Sequence, residues 1–215
     1  MKLLCNNSVV FMQETRGTAG DLASLPDTHL HFGSFLSPDE VVGSSRSGGV
    51  VTSIRKDLID KVHTIAGKTF AAGRCHAVRL LGAHFELLCI NAHICPQWTF
   101  LQKKFVLIAI SKFIRLYPAA IPMMGVDRKF IHGEDRRFDT APGAETASSD
   151  PIASTFERTF CELVELAQPN YTRANSLLAP AAALQTLSRI DRLYTNIPPA
   201  DLHDLLVQVL PLIHI

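Results

Sequence analysis

The chain has 215 residues, of which 47% are hydrophobic and 19% are charged, and its formal net charge at pH 7 is +1. This composition is typical of a globular protein and excludes a disordered chain. A chain of this length buries roughly 70% of the surface that it exposes when unfolded. The small net charge excludes a general attraction to nucleic acid or acidic membranes, so a polyanion would have to bind a local patch.

The cysteine pattern and the N-terminus indicate a soluble, intracellular protein without a membrane partner. The five cysteines, at positions 5, 75, 89, 95 and 161, are odd in number and form no CxxC pair, which favours reduced thiols. We interpret Cys89 and Cys95 as small core residues. The opening "MKLLCNNSVVFM" is interrupted by Asn6, Asn7 and Ser8, so it is too short for a signal peptide or a membrane span.

The first half of the chain predicts four strands and one helix. "SVVFMQET" predicts a buried strand ending on Glu14, and "GGVVTSIRKD" predicts a second strand. "CHAVRLLGAHFELLCINAHICP" predicts a hairpin around Gly82-Ala83, whose second strand runs to His93 and stops at Pro96.

Residues 97–116 predict an amphipathic helix of about five turns, closed by Pro118. Lys103, Lys104, Lys112 and Arg115 lie mostly elsewhere on the helical wheel. The apolar positions that recur at helical spacing are Trp98, Leu101, Phe105, Ile108, Phe113 and Leu116.

In the second half, "IPMMGVD" predicts a short strand, and the polar stretch 131–150 predicts a long surface loop. Ser154 and Glu157 have the spacing of a capping box and predict a second helix through about Ala167, stopped by Pro169. "NYTRAN", "LSRIDRLYTN" and "HDLLVQVLPLIHI" predict further strands. Many short strands with two helices favour an α+β sandwich formed by residues 1–215 as one domain.

Four polar residues share an unusual position with respect to these apolar runs. Glu14, His93 and Asp127 each close a run, and Asp191 lies inside "LSRIDRLY". If these strand ends converge, three carboxylates and an imidazole meet, a group that suits Mg²⁺ and a phosphate ester. The alternatives are ordinary ones: a strand-end surface charge for Glu14, a satisfied strand histidine, a turn carboxylate at Asp127, and an ion pair of Asp191 with a neighbouring arginine.

The same segments resemble a known family. "MQET" looks like its metal-binding "LQET" signature, "INAHICP" like the strand that carries a family histidine, "MMGVDRKF" like "GGDFNF", and "SRIDRLYTN" is very similar to "SRIDRIY". The four occur in the family order and span most of the chain. Together they resemble the endonuclease/exonuclease/phosphatase family, which includes deoxyribonuclease I, and within it most nearly the retroelement-type apurinic endonuclease domains.

The resemblance implies a four-layer αββα sandwich of deoxyribonuclease I type that cleaves phosphodiester bonds with Mg²⁺ or Mn²⁺. By resemblance, Glu14 matches the metal-ligating glutamate and His93 a histidine that contacts the scissile phosphate. Asp127 matches the aspartate that aligns the attacking water, and Asp191 matches the aspartate that orients the family's catalytic histidine.

The sequence also departs from the family pattern. Lys129 stands where the motif has asparagine, and an ammonium has donors but no acceptor. The family's first asparagine-bearing strand and its final Ser-Asp-His segment have no counterpart here. We therefore expect an incomplete fold, weak metal binding, and a catalytically impaired fragment derived from a retroelement and truncated at both ends.

A second hypothesis is a non-catalytic module on the same fold. In it, the cations around the 131–150 loop bind nucleic acid backbone or a partner without chemistry. Those cations are Arg128, Lys129, Arg136 and Arg137. The partner under the first hypothesis is a nucleic acid or another phosphodiester substrate.

Overall fold

A computed structural model describes residues 8–15, 17–36, 48–127, 151–166 and 191–198, together with the backbone of four short strands. Those four strands are Arg137–Asp139, Glu145–Thr146, Arg173–Ala174 and Thr186–Ser188. For Asp191, too, only the backbone is described. The strands are β1 (Val9–Gln13), β2 (His29–Ser34), β3 (Val50–Arg55), β4 (Val62–Ala71), β5 (Cys75–Gly82), β6 (Glu86–His93), β7 (Ile121–Asp127), β8 (Arg137–Asp139), β9 (Glu145–Thr146), β10 (Val164–Glu165), β11 (Arg173–Ala174), β12 (Thr186–Ser188) and β13 (Asp191–Thr195). The helices are a 3-10 helix (Ala19–Ser24), α1 (Lys56–Ile59), α2 (Phe100–Arg115) and α3 (Pro151–Thr159).

These strands form three sheets. The first sheet has the order β1-β3-β2, the central sheet β10-β13-β7-β6-β5-β4, and the third, backbone-only sheet β11-β12-β8-β9. Strands β6 and β7 pair in parallel, and α2 provides the crossover that such a pair requires. The other described pairs are antiparallel.

The central sheet is covered on both faces over β5, β6 and β7, so these strands are mostly apolar. One face packs on α2 and α3 through residues such as Ile90, Met124, Ile110 and Phe156. The other face packs on the first sheet through Ile54, Val78, Leu80 and Cys89. Helices, central sheet and first sheet are thus stacked in layers, which is the α+β sandwich that the sequence predicts. The described helices that contact the first sheet are the 3-10 helix and α1.

Gly125 allows the first sheet to approach the central sheet closely. A β-carbon at Gly125 would lie 2.7 Å from Cγ of Phe11 on β1, closer than real atoms approach. The phenylalanine ring therefore occupies the space that a side chain at Gly125 would take. This contact lies two residues before Asp127, on the same face of β7.

Helix α2 lies within the predicted range 97–116, beginning three residues later than predicted, and buries a different face from the predicted one. A capping box formed by Thr99 and Gln102 starts it. The buried apolar residues are Val106, Leu107 and Ile110. Four of the six residues of the predicted stripe are exposed, at 73% for Leu101, 72% for Phe105, 70% for Leu116 and 38% for Ile108. The helix carries two apolar stripes, and packing against the sheet selects between them where periodicity does not.

The second helix also differs from its prediction. It begins at Pro151 rather than at Ser154 and ends at Thr159. Proline is well suited to the first turn because its missing N–H is not needed there. The Ser154 hydroxyl instead donates to the Pro151 carbonyl at 3.0 Å, inside the helix. The chain then turns and enters β10, so the predicted continuation to about Ala167 is wrong.

Some strands of the structure were not predicted from the sequence, and one predicted strand lies outside the described residues. β2 and β4 were not predicted, and β4 is mostly exposed, so it lacks the apolar run that marks a buried strand. Two short strands, β8 and β9, lie inside the predicted 131–150 loop. The predicted strand "HDLLVQVLPLIHI" lies outside the described residues. Among the described helices, none combines the length and apolarity needed to cross a bilayer.

Candidate active site

A row of polar residues crosses the central sheet on the face that meets the first sheet. Strand alternation puts Asn91 and His93 of β6 on this face, together with Gly125 and Asp127 of β7. The register pairs His93 with Asp127 and Asp127 with Asp191 of β13. Three residues singled out in the sequence therefore occupy neighbouring positions on three adjacent strands, Asp191 being placed here by its backbone alone.

Glu14 reaches this row from the other sheet, immediately after β1. Its backbone is in the left-handed region, with φ 51°, which is uncommon for a residue other than glycine and costs roughly 1–3 kcal/mol. The neighbouring backbone is anchored to two loops. The Thr15 N–H donates to the Gly49 carbonyl at 3.1 Å, and the Gly49 N–H donates to the Gly73 carbonyl at 2.8 Å.

The three side chains meet at hydrogen-bonding distances or slightly beyond. Nε2 of His93 lies 3.4 Å from Oε1 of Glu14 and 3.7 Å from Oδ2 of Asp127. The side chains of His93 and Asp127 are 1% and 0% exposed, whereas that of Glu14 is 17% exposed. Solvent and any ligand therefore reach the group from the Glu14 side.

Arg74, which the sequence did not single out, completes the surroundings of His93. Its Nη1 donates to Nδ1 of His93 at 2.9 Å, and its carbonyl accepts from the His93 N–H at 2.7 Å. The arginine is only 9% exposed. A buried guanidinium beside the histidine partly balances the two carboxylates on the opposite side of the ring.

Asn91 ties the two sheets together directly beneath this group. Its Oδ1 accepts from Nε2 of Gln13 at 2.8 Å. Its Nδ2 donates to the Val51 carbonyl at 2.9 Å and to the Met12 carbonyl at 3.2 Å. Because Gln13 and Met12 lie just before Glu14, these bonds fix the end of β1 relative to β6. An asparagine two residues before His93, in an otherwise apolar strand, was the sequence signal for this role.

Other buried titratable groups near the row are structural. Nε2 of His76 lies 2.7 Å from the Thr52 hydroxyl, and burial lowers the pKa of His76 to about 4. Burial raises the pKa of the Cys89 thiol to about 12 and that of Cys75 further still. Cys89 and Cys95 are buried, as expected for core residues, and Cys161 is exposed.

The residues present fit a divalent cation. Ligand atoms of Glu14, His93 and Asp127 all lie within 4.8 Å of one another. Two carboxylates are the oxygen donors that Mg²⁺ and Mn²⁺ prefer. Arg128, Lys129 and Arg136 lie outside the described residues, and Arg137 is known only as the first backbone position of β8, so their predicted role in nucleic acid binding stays a prediction.

Comparison with known proteins identifies the fold. No protein-family model matches the chain, and no curated protein is similar to it in sequence. Solved structures are similar to it over 89–92% of its length. TDP2 of D. rerio, in complex with a single-strand DNA product, has a TM-score of 0.57 and 15% identity over 92% of this chain and 75% of its own. The chain has the deoxyribonuclease I-like fold.

Two further structures with this fold agree. The AP endonuclease LMAP of Leishmania major has a TM-score of 0.60 and 13% identity, over 90% of this chain and 71% of its own. The endonuclease domain of TRAS1, a telomere-specific non-LTR retrotransposon, has a TM-score of 0.55 and 10% identity, over 89% of this chain and 74% of its own. The predicted fold is therefore confirmed.

Proposed function

We propose that this chain carries the site of a divalent-metal-dependent phosphodiesterase that cleaves nucleic acid. The observation that supports the proposal most strongly is the convergence of Glu14, His93 and Asp127. These residues come from two different sheets, and their ligand atoms lie within 4.8 Å of one another. Such a group of carboxylates and an imidazole, open on one side, suits a metal and a phosphoryl oxygen.

Each residue has a distinct proposed role. Glu14 holds the metal, because it is the most exposed of the three and lies where a ligand enters. Asp127 positions and accepts the proton of the attacking water, a role that its burial and its place beside His93 support. His93 donates a hydrogen bond to a phosphoryl oxygen. The bound metal would polarise that phosphoryl group and stabilise the charge that develops on it.

Asp191 is proposed to support the same site from β13. Its backbone is paired with that of Asp127, so it belongs to the row of site residues. In the family that the chain resembles, the matching aspartate orients a catalytic histidine.

A nucleic acid is the proposed substrate, because three proteins of similar fold are endonucleases or were solved with DNA. One was solved with a single-strand DNA product, another is an AP endonuclease, and a third is the endonuclease domain of a retrotransposon. The source of this chain in a retroelement is part of the same proposal.

We further propose that turnover is low and metal binding weak. Lys129 stands two residues after Asp127, where the family motif has asparagine. Two unit charges about 4 Å apart interact by roughly 4 kcal/mol at an effective dielectric constant near 20, and a unit cation repels a divalent metal about twice as strongly. We expect Mg²⁺ to bind no tighter than the millimolar range, about 4 kcal/mol.

Plasmid nicking with the purified chain tests the proposal. Slow nicking is expected in Mg²⁺ or Mn²⁺, and none above background in EDTA. Glu14→Gln and Asp127→Asn, which remove the charge and keep the shape, should each lower the rate by at least about a hundredfold. Asp57→Asn is the matched control, since its carboxylate is 57% exposed and paired with Arg55.

Two results would contradict the proposal. One is nicking that persists in both site variants, which would indicate a contaminating nuclease. The other is the absence of metal-dependent nicking by a chain that still binds DNA, which would favour the non-catalytic module.

A further inference from the structure

Arg74 is held in a defined position beside the imidazole of His93. It follows Gly73, whose φ of +60° forms the turn between β4 and β5. The Arg74 N–H donates to the Ala71 carbonyl at 3.1 Å, and the Arg74 carbonyl accepts from the His93 N–H at 2.7 Å. The backbone of Arg74 is therefore fixed to β6, and its side chain reaches Nδ1 of His93 at 2.9 Å.

The chemistry of this contact determines where the proton of the imidazole lies. A guanidinium carries only donors and stays charged at any ordinary pH. Nδ1 of His93 must therefore accept, and a nitrogen that accepts has no proton. In the neutral ring the proton is then on Nε2, the atom that lies 3.4 Å from Glu14 and 3.7 Å from Asp127.

We propose that Arg74 is a positioning residue that keeps His93 in the Nε2–H tautomer and thereby prevents it from binding the metal. A metal is bound through a nitrogen lone pair, and the only lone pair of this tautomer faces Arg74. Of the three groups that meet here, Glu14 remains to hold the metal and Asp127 to position the attacking water. His93 is left as a hydrogen-bond donor to an anion.

The proposal has a consequence for which ions the site selects. An all-oxygen site favours Mg²⁺ and Mn²⁺, whereas a site with an imidazole ligand gains affinity for ions such as Co²⁺ and Zn²⁺. Arg74 thus acts against these ions without touching the metal. This part rests on the proposed function, because it concerns a metal held by Glu14, whereas the tautomer does not depend on activity.

Nitrogen NMR of the imidazole rings measures the tautomer directly. Long-range ¹H–¹⁵N correlation spectra of the ¹⁵N-labelled chain, with His93→Gln to assign the signals, should show Nδ1 unprotonated and Nε2 protonated at pH 7.5. Arg74→Met should shift the population toward Nδ1–H, and Arg74→Lys, which keeps a donor, should restore the wild-type pattern. Arg79→Met is the matched control, because Arg79 lies on β5 and binds Glu86 at 2.5 Å, away from His93. A protonated Nδ1 in the wild-type chain would overturn the proposal.

Cobalt binding provides a second measurement. Calorimetry with Co²⁺ and with Mg²⁺ should show a preference for Co²⁺ that is at least tenfold larger in Arg74→Met than in the wild type. The gain should vanish in Arg74→Met/His93→Gln. An unchanged ion preference in Arg74→Met, or wild-type Co²⁺ binding that His93→Gln abolishes, would contradict the proposal.

The outcomes separate this inference from the proposed function. A protonated Nε2 in a chain that cleaves nothing would leave the positioning role standing and reject the enzyme. Cleavage by a chain whose Nδ1 is protonated would do the reverse. If Arg74→Met does not fold, the tautomers of the wild type and of Arg74→Lys still decide.

Discussion

His93 and Asp127 face each other because the parallel strands β6 and β7 pair them in register. Nε2 of the histidine lies 3.7 Å from Oδ2 of the aspartate, although helix α2 separates the two residues in sequence. The central sheet thus assembles one half of the candidate site by itself. The other half, Glu14, depends on how the first sheet packs against it.

Gly125 should be essential to that packing. Replacing it by alanine forces a β-carbon against the Phe11 ring, so we expect Gly125→Ala to lower the free energy of unfolding by about 1–3 kcal/mol. Urea denaturation of the purified variants measures the loss. Gly67→Ala is the matched control, because a β-carbon at Gly67 meets nothing within 4 Å. Equal stability of the two variants would argue against the close approach of β1.

The asparagine between the sheets should matter more than its size suggests. Asn91→Ala removes three hydrogen bonds and leaves buried polar groups of β1 and β3 without them, so we expect a loss of about 3 kcal/mol. Asn196→Ala, at an exposed position, should change stability by less than about 0.5 kcal/mol. Chemical denaturation measures both losses. A similar loss of stability in the two variants would show that the hydrogen bonds of Asn91 do not stabilise the packing of the sheets.

Stability should depend on pH through His76. Its pKa is about 4 in the folded protein, against an ordinary value of 6.5, because burial disfavours the charged ring. Between these values the unfolded chain binds a proton that the folded chain does not. The stability that neutral His76 contributes should therefore be fully present above pH 6.5. As the pH is lowered from 6.5 toward 4, the free energy of unfolding should fall by about 1.4 kcal/mol per pH unit.

Urea denaturation at pH 7.5 and at pH 5 measures this dependence. His76→Gln should lose this part of it, whereas the exposed His84→Gln should keep it. If the free energy of unfolding falls between pH 7.5 and pH 5 by the same amount in the wild type and in His76→Gln, other groups are responsible.

The buried face of α2 can be distinguished from the predicted one by two alanine substitutions. Ile110→Ala should cost about 2–5 kcal/mol, because Ile110 is 0% exposed and packs in the core. Phe105→Ala should cost less than about 0.5 kcal/mol, since Phe105 is 72% exposed. The opposite ranking in thermal or urea denaturation would favour the stripe that periodicity indicated.

These helices show why part of the structure could be predicted and part could not. Strands such as Ile121–Asp127 were predictable because a continuous apolar run marks a strand that is buried on both faces. The face of α2 was not, because Leu101 and Ile110 are equally apolar and only the opposing sheet distinguishes them. The start of α3 was misplaced because a serine and a glutamate at capping distance also occur inside helices.

The candidate site divides in the same way. The convergence of Glu14, His93 and Asp127 could be predicted, since each closes an apolar run in the order of a known family, whereas their roles stay a prediction. Arg74 was not, because its role arises from a turn that returns next to β6, 19 residues away along the chain. Asn91 gave a signal, a polar residue in a buried strand, but its three partners lie in segments that only the packing of the sheets brings together.

Because the site is divided between two sheets, its geometry depends on how the two sheets are aligned. A slip of one residue between the layers would displace Glu14 by about 3.3 Å, comparable with the 3.4 Å that separates its carboxylate from His93. A misplacement of about 1 Å can already cost a hundredfold in rate. Each sheet could thus keep its own hydrogen bonds while the three side chains no longer meet, so the proposed activity should be lost on heating before the strands themselves unfold.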